Sequence, residues 1–117
     1  MGVDVTLYPY HRPQWPASGP VIHMDKIRFF LEKPRLLSDL LVEGAKPIPA
    51  RVILFLDEEG GTLTKNDGYG SPLHWKTAGD LVKIQTLHPE RANSVYRMAW
   101  MGLKKLRPST PVILYWS

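Results

Sequence analysis

Two periods of apolar and polar residues alternate along this chain, and each period predicts a different kind of element. Val3, Val5 and Leu7 alternate with Asp4, Thr6 and Tyr8, the period of two that marks a strand with one face buried. Residues 51–56 read Arg-Val-Ile-Leu-Phe-Leu, an apolar run of strand length expected at the centre of a sheet. A turn over residues 57–61 then leads to a short returning strand at residues 62–64, and residues 112–116, Val-Ile-Leu-Tyr-Trp, predict a further buried strand.

The helical period is clearest over residues 89–107. Advancing 100° per residue from Arg91, the positions of Val95, Leu106, Ala99, Ala92, Leu103 and Tyr96 fall between roughly 40° and 140°, one continuous apolar face. Pro89 suits the first helical position and Glu90 the positive end of the helix dipole, while Pro108 and Pro111 stop the segment. Thr77 with Asp80 three residues on approximates a capping box for a shorter helix carrying Leu81, Val82 and Ile84. Residues 21–41 admit two readings. One is a helix capped by Asp25, with a second segment opened by Pro34, carrying Leu36, Leu37, Leu40 and Leu41 and closed by Gly44. The other is strands at 21–24 and 27–31, and from Ile27 onward the helix is favoured, because Asp25-Lys26 lacks the glycine of a two-residue hairpin turn.

Pro9, Pro13, Pro16 and Pro20 exclude helix and central strand from residues 9–20 and predict a stiff, extended loop. The expected architecture is α+β: a small, mainly antiparallel or mixed sheet from residues 3–8, 51–56, 62–64 and 112–116, packed against a long C-terminal amphipathic helix and shorter helices. With 117 residues and no internal repeat, a single globular domain spanning 1–117 is expected.

Composition narrows the chemistry. The absence of cysteine excludes a disulfide framework, a thiolate nucleophile and a cysteine zinc site. The first residues carry no charged-then-apolar leader, and no apolar run approaches about 18 residues, so a cytoplasmic location without membrane association is expected. The net charge of +4 and pI near 9.5 suit an acidic partner, either a protein or a nucleic acid.

Motifs of catalysis are mostly missing. Gly68-Tyr69-Gly70 is not followed by the Gly-Lys-Ser/Thr of a phosphate loop, and a turn needing positive φ explains it. His11, His23, His74 and His88 show no pair at metal spacing, and Asp57, Glu58 and Glu59 read as a solvated turn, since neighbours on a strand point to opposite faces. Neither a metal nor a cofactor is expected. The nearest approach to an active site or small-ligand pocket is the loop carrying Asp67, Tyr69, His74 and Trp75, in which Asp67 and His74 are candidates for an acid–base pair with no recognisable third group.

The C-terminal helix offers more. Opposite its apolar face, Met98 and Met101 lie among Arg97, Lys104 and Lys105, with Trp100 on the border between core and basic face. Methionine adapts to varied partners, and unpaired cations are costly to bury. Tyr10 and Trp15 in the proline loop are candidates for a second contact, as interface anchors; the competing reading, favoured for Trp15, folds them back over the core as a lid. The sequence therefore predicts a non-catalytic protein-binding module of inhibitor or adaptor type, meeting a protein with an acidic patch. The alternative is a sequence-tolerant nucleic-acid binder using Arg91, Arg97, Lys104, Lys105 and Arg107 on phosphates, with Tyr10 or Trp15 as stacking platforms.

Overall fold

The computed structural model describes residues 4–10, 12, 13, 15, 21–24, 29–31, 38–56, 61–87 and 97–117, with the backbone alone at 21–24, 29, 30, 85, 87, 97 and 98. In chain order the elements are β1 (Val5–Pro9), β2 (Val21–Met24), β3 (Phe29–Leu31), α1 (Ser38–Val42), β4 (Lys46–Pro47), β5 (Val52–Leu56), β6 (Thr62–Thr64), β7 (His74–Thr77), α2 (Ala78–Leu87), α3 (Arg97–Lys104) and β8 (Pro111–Trp116).

The strands form two sheets. One is antiparallel throughout, in the order β3-β1-β8-β7-β4, and the other runs β2-β5-β6, with β2 parallel and β6 antiparallel to β5. The mixed α+β class agrees with the sequence, but the single sheet expected from it is two sheets: β1 and β8 belong to one, β5 and β6 to the other.

Register explains how the layers stack. Leu7 lies opposite Leu114 and Val5 opposite Trp116, whereas Tyr8 lies opposite Ile113, and side chains of directly paired residues share a face. On the first face Val5, Leu7, Leu31, Val112 and Leu114 pack with Leu41 of α1, Leu81 and Ile84 of α2, and Ala99, Trp100 and Leu103 of α3. On the second, Tyr8, Tyr10 and Ile113 pack with Leu73 and with Val52 and Leu54 of β5. The five-stranded sheet is thus the middle of three layers. This corrects the half-exposed β1 read from alternation, since Thr6 and Tyr8 are buried too, at 7% and 2% exposure, because a second layer covers their face.

Several helical expectations hold in their local chemistry. Asp80 N–H donates to Thr77 Oγ1 at 3.2 Å, so Thr77 caps α2, and Gly44 follows α1 at φ 75°, the left-handed conformation that ends a helix cheaply. Two expectations fail. Phe29–Leu31 is a strand paired with β1, not part of a helix: tertiary pairing overrides a local turn argument that assumed a hairpin. The long helix over residues 89–107 is also not observed. The described helix ends at Lys104, where Lys105 N–H bonds to the Gly102 carbonyl and Leu106 N–H to that of Leu103, tightening the last turn before Pro108, which disfavours helical geometry in the residue it follows. Residues 88–96 lie outside the described residues, as do Asp57, Glu58, Glu59, His11 and His88.

Candidate functional site

The outward side of α3 is set by what holds its inward side. Trp100 and Leu103 are 1% and 0% exposed, and Ala99 8%, so the helix is fixed through three consecutive positions of its buried arc. Met101 then faces solvent at 51% exposure, and Lys104, Lys105 and Arg107 are exposed beyond it. Among the described residues no carboxylate pairs with these cations. Of the predicted face, Met101, Lys104 and Lys105 therefore lie at the surface, and Arg97 and Met98 belong to the same short helix by backbone position alone.

Trp100 is a correction. The wheel put it on the border, but α3 packs against both α2 and β3, and a helix with two neighbours buries a wider arc than one lying on a single surface. Its indole N–H makes no hydrogen bond among the described residues, so it brings neither an exposed edge nor a satisfied donor.

Tyr10 and Trp15 are brought to a different place. Tyr10 is only 5% exposed and belongs to the second core. Trp15 is half-buried, with its ring centroid 4.8 Å from that of Tyr10 and 5.8 Å from that of Trp75, the latter pair edge-to-face at 84°. Tyr10 is thereby excluded as an exposed anchor, because its ring and that of Trp15 pack onto the second core. Trp75 joins the cluster because it lies opposite Ile113, on the face that carries Tyr8, and the Lys46 ammonium sits 6.0 Å above its ring. The sequence assigned Trp15 and Trp75 to separate sites; the cross-strand register, invisible in either segment alone, makes them neighbours.

The loop between β6 and β7 is dense in hydrogen bonds. Asp67 Oδ1 accepts from the Tyr69 and Ser71 amides at 2.9 and 3.0 Å, Thr64 Oγ1 bonds both the amide and the carbonyl of Asn66, and Gly68 N–H reaches the Trp116 carbonyl at 2.8 Å. Asp67 is thus the hinge of an Asx turn. His74 Nδ1 lies 2.9 Å from the Pro72 carbonyl; a carbonyl only accepts, so that nitrogen carries a proton. Both groups have structural partners of their own, and no hydrogen bond joins them among the described residues. What the loop does present is Tyr69, at 58% exposure.

Among the described residues no group of three histidine, aspartate or glutamate side chains could hold a metal ion, and no helix is long and apolar enough to cross a membrane. No family model, curated protein or solved structure matches the chain, so any functional reading rests on the geometry of its own side chains.

Proposed function

We propose that this chain is a small binding protein of inhibitor or adaptor type, which docks the outward face of α3 on an acidic patch of a protein partner. The observation that carries the reading is Met101, half exposed on a helix anchored by Trp100 and Leu103 and flanked by Lys104 and Lys105, which pair with no carboxylate among the described residues. An adaptable apolar centre with a charged rim is the usual anatomy of an interface. A rigid platform helps, because little ordering entropy remains to be lost on docking. Arg97 and Met98 extend the face by sequence.

Burial of Tyr10 and the engagement of Trp15 with two other rings weigh against the nucleic-acid alternative, which needs free aromatic faces for stacking. The commitment of Asp67 to its turn weighs likewise against acid–base chemistry at the 67–75 loop.

A photoreactive side chain at position 101, compared in cells with the same group at the exposed Thr86 of α2, tests the proposal. An acidic protein should be captured from 101 and not from 86, and Lys104→Glu with Lys105→Glu should abolish capture by slowing association, with the thermal melt unchanged. Equal capture from both positions, or capture that survives the charge reversal, refutes it.

A further inference from the structure

Gly68 is where the β6–β7 loop touches the central strand. Its N–H donates to the Trp116 carbonyl, and a Cβ at this position would lie 3.0 Å from that oxygen and 3.2 Å from Ser117 Cα. The close contact favours glycine at the position after Asp67. In a free chain the dipeptide Asp-Gly cyclises more readily than almost any other, since no side chain hinders the approach of the glycine amide to the preceding carboxyl group.

We propose that Asp67-Gly68 is a latent isomerisation site that docking of the loop on β8 holds in check. The step begins when the Gly68 nitrogen attacks Asp67 Cγ. A C–N bond forms, and one carboxyl oxygen leaves as water with the amide proton and the acid proton, closing a five-membered succinimide. Water then adds to either ring carbonyl and breaks one of the two C–N bonds. One direction restores aspartate; the other routes the main chain through Cγ as isoaspartate. Nothing is oxidised or reduced, and the water lost is regained.

The folded loop opposes this step at both reacting groups. The nucleophilic nitrogen is tied by its hydrogen to Trp116, and the carboxyl group is held by the amides of Tyr69 and Ser71. Reaction therefore requires the loop to leave the strand, a local opening well short of unfolding. Once formed, isoaspartate places an extra methylene in the backbone and turns the Asp67 main-chain carbonyl, which accepts from Gly70 N–H at 3.1 Å, into a free carboxylate. The Asx turn that displays Tyr69 does not re-form with that spacing, so the loop recovers only by a second passage through the succinimide.

The test follows isoaspartate at position 67 by peptide mapping after incubation in heavy-oxygen water, which labels every passage through the succinimide. The full folded chain, the same chain in urea and a free peptide of residues 62–74 are compared, with hydrogen exchange of the Gly68 amide measured on the folded sample. The folded chain should isomerise at least about ten-fold more slowly than the peptide and the unfolded chain, with Gly68 exchange slowed by a similar factor. A folded chain that isomerises as fast as the peptide overturns the inference. So does a peptide that fails to isomerise, or a Gly68 amide that exchanges freely while isomerisation stays slow.

Discussion

Leu103 in the last turn of α3 and Lys105 just past its end stand two positions apart, yet a substitution meets opposite surroundings at each. Leu103 is wholly buried between the sheet and α2, and Leu103→Ala should cost about 2–5 kcal/mol through lost transfer energy and the cavity left behind. Lys105→Ala, at the surface, should cost less than about 0.5 kcal/mol. Trp100 is the instructive third case, since among the described residues it is the bulkiest fully buried side chain and its indole N–H has no acceptor. An unpaired buried donor costs about 1–3 kcal/mol, so Trp100→Phe should fall within about 1 kcal/mol of the parent, the relief offsetting lost contacts. Urea melts of the three variants should rank Leu103→Ala far below the other two, and a Trp100→Phe loss as large as that of Leu103→Ala would mean the indole has an acceptor after all. The exposure of Met101, Lys104 and Lys105 was legible from the 100° wheel because it depends only on the opposite side being buried. Trp100 was not, because a wheel knows one neighbour and α3 has two.

Elements were legible where their signal is local. The Thr77–Asp80 pair announced the start of α2, and the hydrogen bond from Asp80 N–H to Thr77 Oγ1 is the expected cap. Thr77→Ala should therefore lower stability by about 0.5–2 kcal/mol, and Thr77→Asn, which keeps the acceptor, should restore most of it. Chemical denaturation of both variants checks this, and equal losses would show that the side chain matters for packing instead. The segments that escaped are those whose fate is decided elsewhere in the chain. Phe29–Leu31 becomes a strand because β1 offers it an edge, although nothing within residues 21–41 forbids a helix. His74–Thr77 carries two polar residues and a lysine among its four and reads as loop, yet it lies beside β8 with Trp75 against Ile113. The two-residue β4 is too short to leave any periodic trace. The Asx-turn loop was foreseen as a turn from its glycines, whereas its attachment to Trp116 needed the neighbouring strand.

At the scale of the whole molecule, β8 occupies the position on which everything else depends. It pairs with β1 on one side and β7 on the other, and its alternate residues reach both cores, Val112 and Leu114 toward the helices and Ile113 toward β5. Its central amides are protected from the sides by strand ladders and from both faces by packed side chains, so no small opening exposes them. The edge strand β6 is different: it pairs only with β5 among the described strands, and Thr62 and Leu63 are exposed. Amides in an element of that kind exchange through partial openings, whereas amides at such a centre exchange only when the domain unfolds. Native-state hydrogen exchange should accordingly give Val112, Ile113 and Leu114 a protection free energy equal to the global stability from denaturant melts, and β6 a clearly smaller one. The coupling between layers can be read in the same experiment. Leu103 touches the sheet from the helix side, so Leu103→Ala should lower protection at β8 by its full stability loss while leaving β6 nearly unchanged, as long as the partial opening of β6 remains its easier route. Undiminished protection of β8 in that variant would mean that the helices open separately from the sheet, and that the outward face of α3 rests on a mobile layer instead of a fixed platform.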